Sequence, residues 1–421
     1  MFGYPVQQLL ATPETGSRHP GEHDARSDGY GLAPGQRHHA AIPVRDTFPA
    51  LAALNVSDLP SLGSEDGQET GDAVQRRPFV GLTSSSLLGT LLDVTSGNRP
   101  VDAGSLVSVL AGYATDTGPE HPGSYDVAAL AAAVNQARRH YQACRYSELI
   151  GYLPRLLVRL DAACVCLDGE ARSRAFAGSA DAYHVAAGLL LKLDDQGLAY
   201  LAADRSMRAA QASEDRVTIG ASARIVTHTL MSGGHRATAV STASSYAARL
   251  NRDVSSPTSE SLSVYGSLLL RGAIAAAQDD QRGTAHELLG EADGAAQRLG
   301  ADGNLRWTAF GPTNTKLHRV SIAVTLGDAG TAVDVARGID LSTITVTERK
   351  ATLLVDTARA FLQWGRHEKA YIALCTAEEV AHEEIAGRPS VHRLVRELVT
   401  CAPPTVRHEA AQFATRIGVS R

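Results

Sequence analysis

Long apolar runs are missing from this sequence. None reaches the ~20 residues needed to span a bilayer. Cysteine is scarce and odd in number, five in 421 residues, which is no basis for a disulfide framework. A reducing cytoplasm is therefore the expected setting. No large charge excess of either sign is present: 40 basic against 45 acidic residues leave a formal charge of −5. That balance excludes a globally basic nucleic-acid coat protein. The glycine-rich phosphate loops, the Gly-x-Ser-x-Gly elbow and the His-Glu-x-x-His helix are all absent. No cofactor and no metal is expected, and no catalytic residue can be nominated.

Proline becomes rare after residue 122, with eleven of the 17 before that point and six in the remaining 299 residues. Residues 11–75 are rich in Gly, Pro, Ser and Asp without a sustained period. Such a segment buries too little apolar surface to offset its ordering entropy and reads as a disordered linker. Its histidines (His19, His23, His38, His39) lack metal-ligand spacing. Residues 76–122 read as linker with short helices. Within them Arg76-Arg77 precedes a short apolar run, which fits a helix packed on the downstream domain better than an export signal placed so far into the chain.

From residue 123 onward the sequence reads as all-α. Ala and Leu dominate, and apolar residues recur at helical spacing, as in Val127, Leu130, Ala131, Val134 and Ala137. Five alanines each follow a turn residue by five positions: Ala199 after Asp194, Ala239 after Gly234, Ala285 after Asp280, Ala332 after Gly327 and Ala370 after Gly365. Nine positions before each Ala stands an apolar residue (Leu190, Leu230, Ala276, Ala323, Phe361). The spacings of 40, 46, 47 and 38 describe repeated helical hairpins. The turn needs Gly, or an Asp capping the next helix. The Ala marks a close helix crossing where a larger side chain would force the pair apart. A single hairpin cannot bury its apolar face, so the hairpins must stack. An earlier unit over 126–161 has Cys144 at the turn and Leu149 at the Ala position. Helices over 389–399 and 405–417 would cap the C-terminal end.

This pattern resembles the tetratricopeptide repeat, with longer periods than the usual ~34 residues. Further residues sharpen the resemblance. Phe2, Gly3, Val6, Leu9 and Leu10 resemble the closing helix of a Cro/repressor-type (XRE-type) helix-turn-helix domain. Arg76-Arg77-Pro78-Phe79-Val80-Gly81-Leu82, Phe310-Gly311-Pro312-Thr313-Asn314 with His318, and the LVRELVT run at 394–400 are similar to segments of actinobacterial regulators that join such a head to a tetratricopeptide-repeat sensor domain. The resemblance implies a transcriptional regulator that acts as a homodimer and binds a peptide or small-molecule effector. It implies contact with DNA only through a domain of which residues 1–10 would be a remnant, the recognition helix lying upstream or lost. No membrane association is implied.

A solenoid of helical pairs has a concave face lined by the first helix of each unit. Counting fifteen, eleven and eight residues back from the marker alanines nominates inward positions. They are His184, Gly188 and Leu191; Arg224, His228 and Met231; Leu270, Ile274 and Ala277; Leu317, Ser321 and Val324, with Asn314 a turn earlier; and Val355, Arg359 and Leu362. Six are candidate ligand contacts. Arg224 and Arg359 suit a carboxylate, Asn314 a peptide backbone, and His184, His228 and His318 complete the polar set. Gly311-Pro312 also starts a helix that Asn or Thr would cap. Cys164 and Cys166 fall on different helix faces, and Glu378, Glu379, Glu383 and Glu384 read as a solvated face. The alternatives to a sensor are a non-sensing scaffold for protein partners and an enzyme on a helical scaffold, which a closed acidic pocket would favour.

Overall fold

The computed structural model describes residues 104–112, 125–253 and 257–419. Among these there is no strand, and sixteen α-helices follow one another with short connections. Residues 1–103, with the helix-turn-helix remnant, the linker and the Arg76-Arg77 segment, lie outside them. Helix α1 (Gly104–Ala111) is followed by six hairpins: α2/α3 (Val127–Gln142, Tyr146–Cys166), α4/α5 (Gly169–Lys192, Gln196–Ser213), α6/α7 (Arg216–Ser232, Arg236–Asp253), α8/α9 (Ser259–Gln278, Arg282–Leu299), α10/α11 (Pro312–Thr325, Ala329–Arg337) and α12/α13 (Thr347–Gln363, His367–Val380). Helices α14 (His382–Ala386), α15 (Pro389–Cys401) and α16 (Pro404–Arg416) finish the chain. None of these helices is long and apolar enough to cross a membrane.

The hairpin turns share one construction. Cys144, Asp194, Gly234, Asp280, Gly327 and Gly365 all have left-handed φ, between 57° and 85°. The amide after each reaches back to the carbonyl five residues earlier. Asp195 N donates to Leu190 O at 2.9 Å, His235 N to Leu230 O at 2.9 Å, and Arg366 N to Phe361 O at 2.8 Å. This is the closing bond of a Schellman turn, and its acceptors are the apolar residues nine before the marker alanines. Asp194 and Asp280 therefore serve as left-handed turn residues and do not cap. The cap of α5 comes from Asp195, whose carboxylate accepts from Leu198 N at 3.0 Å.

All five marker alanines are buried, none more than 1% exposed, as is Leu149. They belong to the layers where consecutive helices nest. Helix α1 lies on α3 and α5, with Leu106 and Leu110 fully buried and Arg205 of α5 donating to Val109 O at 3.1 Å.

The solenoid does not stay open. Helix α2 reaches α12, and Ala351 and Ala381 join the core built by α2, α3 and α4. Tyr146 at the start of α3 donates to Glu384 of α14 at 2.5 Å, and Ser147 N donates to Glu383 at 2.8 Å. Arg393 of α15 pairs with Asp194 at 3.0 Å. The first and sixth hairpins thus meet along a seam, and the six hairpins form a ring. Glu383 and Glu384 belong to that seam, not to a solvated face; Glu384 is fully buried.

Candidate functional site

At the hub of the ring lies a cavity of about 180 Å³ that is partly open to solvent. Its wall holds seven cations: Arg138, Lys192, Arg224, Arg271, Arg306, Arg349 and Arg388. Only two carboxylates, Asp181 and Glu348, share it. Tyr141, Val185, Leu191, Ala221, Ile225 and Trp307 supply its less polar surface. The pocket is basic and not acidic.

Most of these cations are already paired. Arg138 forms an ion pair with Asp181, and Arg306 lies 4.0 Å from the same carboxylate and 3.9 Å from Asp215. Lys192 Nζ donates to Glu348 and Glu384, 2.6 Å each. Arg388 donates to Glu384 at 2.6 Å, and Arg349 stands 3.6 Å from Glu348. Burial alone would raise the Glu348 carboxyl and lower the Lys192 amine. Their mutual attraction wins, so Glu348 is held below the usual carboxylate range and Lys192 above the usual lysine range.

Arg224 and Arg271 stand apart from this network. Arg224 donates to His184 Nε2 at 2.9 Å, and Arg271 has no carboxylate partner among the described residues. The Nε atoms of both are sealed from solvent and unpartnered. Burial, then Arg271 and Arg349, pulls Arg224 down to about 9. Burial, then Arg349, pulls Arg271 down to about 10. Both are charged at neutral pH.

The histidines of the hub are neutral. Because guanidinium only donates, the Arg224 contact requires a bare Nε2 on His184. Burial first, and the adjacent arginines next, hold His184 and His228 well below the ordinary imidazole value. They push His318 down to about 3. His318 Nδ1 bonds Asn314 O at 2.9 Å.

A strained connection crosses the hub between α9 and α10. Arg306, Trp307 and Ala309 all have left-handed φ (49°, 59°, 51°), an uncommon setting for non-glycine residues. Asn304 and Gln142 of α2 exchange side-chain bonds of 2.7 and 3.1 Å, and Arg306 Nη2 donates to Thr218 Oγ1 at 2.7 Å. Phe310 anchors the far end, fully buried against Gly266, where any Cβ would sit 1.9 Å from its ring. Helix α10 is started by Pro312. Asp302, and not Asn or Thr, accepts from its first turn, from Thr313 N at 2.8 Å.

The structure brings His184, Arg224 and His228 together in the cavity wall. His318 lies close enough to feel Arg224, Arg271 and Arg349. Asn314 is buried one turn before it on α10, its Oδ1 sealed and unpartnered. Arg359 does not line the cavity; it pairs with Asp356 at 3.0 Å. The counting scheme slips in the later units. Leu270, Ile274, Leu317, Val324, Val355 and Leu362 are core residues. The cavity takes Arg271 in place of Leu270, and Glu348, Arg349 and Thr352 from the first turns of α12. One residue of slip rotates a side chain by about 100°, enough to exchange core for cavity. A shallower depression of about 460 Å³ lies between α9, α10 and α11, where Arg319 pairs with Asp293. No metal-binding group of His, Cys, Asp or Glu exists among the described residues. No family model, no curated protein and no solved structure matches the chain.

Proposed function

We propose that this chain is the ligand-sensing and protein-interaction half of a transcriptional regulator, with its effector seated at the hub of the ring. One observation carries the reading: the cavity and the seam share residues. Lys192, Glu348 and Arg388 line the cavity and are also the ion pairs through which α4, α12 and the α14–α15 junction are tied together. An occupant that draws on those side chains changes how firmly the first two hairpins hold α12 and α14. A ligand can shift such an equilibrium only by its differential affinity for the closed and open ring. On this reading DNA is contacted through a helix-turn-helix head that residues 2–10 resemble the end of, and two copies act together.

A thermal-shift screen of small metabolites and short peptides, followed by hydrogen exchange on each binder, tests the proposal. A sensor yields a binder whose added protection includes the α2–α12 and α3–α14 contacts. Binders that leave the seam unchanged, or a cavity indifferent to every small molecule, would count against it.

A further inference from the structure

We propose that the hub cavity is an oxyanion site, built for a compact ligand carrying a phosphoryl group held by Arg224, Arg271 and Arg349. The inference rests on the reading of the cavity as an effector site and names the chemistry of the effector.

Each acidic group at the hub is engaged: Asp181 by Arg138, Glu348 by Lys192, and Glu384 by Lys192, Arg388 and Tyr146. No carboxylate is left over for Arg224 or Arg271. Arg224 and Arg271 are half-buried on neighbouring helices with no carboxylate partner, so their like charges repel each other. A fold retains such a pair at a cavity when something else supplies the counter-charge.

Arg224 is on α6, Arg271 on α8 and Arg349 on α12, so three guanidiniums approach one space from three helices. A planar carboxylate is matched by a single guanidinium fork. A phosphoryl group offers acceptor oxygens in three directions and up to two negative charges, which suits three forks. His184 orients Arg224 by accepting one of its protons and stays neutral, so it adds no competing charge.

The cavity is also small: about 180 Å³ is below the ~300–1,000 Å³ of sites for drug-sized ligands. A phosphoryl group on a short carbon skeleton fits against Ile225, Val185 and Leu191.

Thermal unfolding and calorimetry of the full chain with inorganic phosphate, pyrophosphate, malonate and chloride at matched ionic strength test this. Phosphate and pyrophosphate should raise Tm by several degrees, malonate less, chloride not at all. Arg271→Met should abolish the phosphate shift, weakening affinity about tenfold or more, and should melt no lower than the wild type without phosphate, because it removes a half-buried charge that has no carboxylate partner and is repelled by Arg224. A merely structural arginine would instead destabilise when replaced. Should the Met variant fail to fold, Arg271→Lys keeps the charge and loses the fork, and should bind phosphate more weakly at unchanged Tm. Arg359→Met, outside the cavity, should keep the full shift. The proposal is overturned if no oxyanion shifts the wild type, if Arg271→Met retains the shift, or if an uncharged effector occupies the cavity. That last outcome leaves the sensor reading intact. Phosphate binding through Arg271 without any change of exchange at the seam supports the oxyanion site and removes the sensor.

Discussion

His184, His228 and His318 sit uncharged among arginines, and that has a sign in solution. Below about 6.5 the unfolded chain takes up protons on these residues that the fold refuses until far lower pH, about 3 for His318. Stability should therefore fall as the pH drops from 7 toward 5, each histidine adding at most about 1.4 kcal/mol per pH unit to the slope. Urea titrations at pH 7, 6 and 5 measure it. His318→Gln should flatten the slope, and an unchanged slope in that variant contradicts the neutral assignment. Two glycines give a packing contrast. Gly266→Ala drives a methyl into the Phe310 ring and should cost about 3 kcal/mol. Gly151→Ala meets nothing within 4 Å in the middle of α3 and should gain about 0.5–1 kcal/mol. Similar losses in both variants would mean that the ring does not sit on α8 as described.

At the scale of elements, the turns were legible in the sequence because a left-handed residue and a buried Ala are local requirements that recur in five of the six hairpins, Leu149 taking the Ala position in the first. Gly234→Val should cost about 1–2 kcal/mol through its φ of 85°. Asp280→Gly, which relieves a non-glycine residue at 57°, should melt no lower than the wild type. Equal losses would show that the two turns are built differently. What the sequence did not reveal is the phase of each first helix. The repeat spacing varies from 38 to 47, so a fixed offset from the Ala finds Arg224 and His228 but lands on Leu270 beside Arg271. The connection carrying Arg306 and Trp307 was invisible for another reason. Its shape depends on Gln142 and Thr218, far away in the chain, and no local pattern encodes them.

For the whole molecule, closure is the property that sequence periodicity could not supply, because it depends on accumulated twist over six hairpins. The seam fixes it, through apolar packing of Ala351 and Ala381 and through buried ion pairs. Lys192 and Glu384, side chains 9% and 0% exposed, are costly to separate. Lys192→Met leaves Glu348 and Glu384 short of a buried partner and should cost about 3–5 kcal/mol. Hydrogen exchange should show the loss first in α2, α12 and α14, with the outer hairpins little affected. Uniform loss of protection would mean that the seam is not a separate unit. A crystal structure of the chain grown with tungstate, a heavy oxyanion, is the most direct measurement of all. It should show α2 and α3 seated against α12 and α14, with anomalous density between Arg224 and Arg271. An open spiral with those ends apart, or tungstate bound elsewhere beside an empty hub, would contradict a closed ring built around an anion.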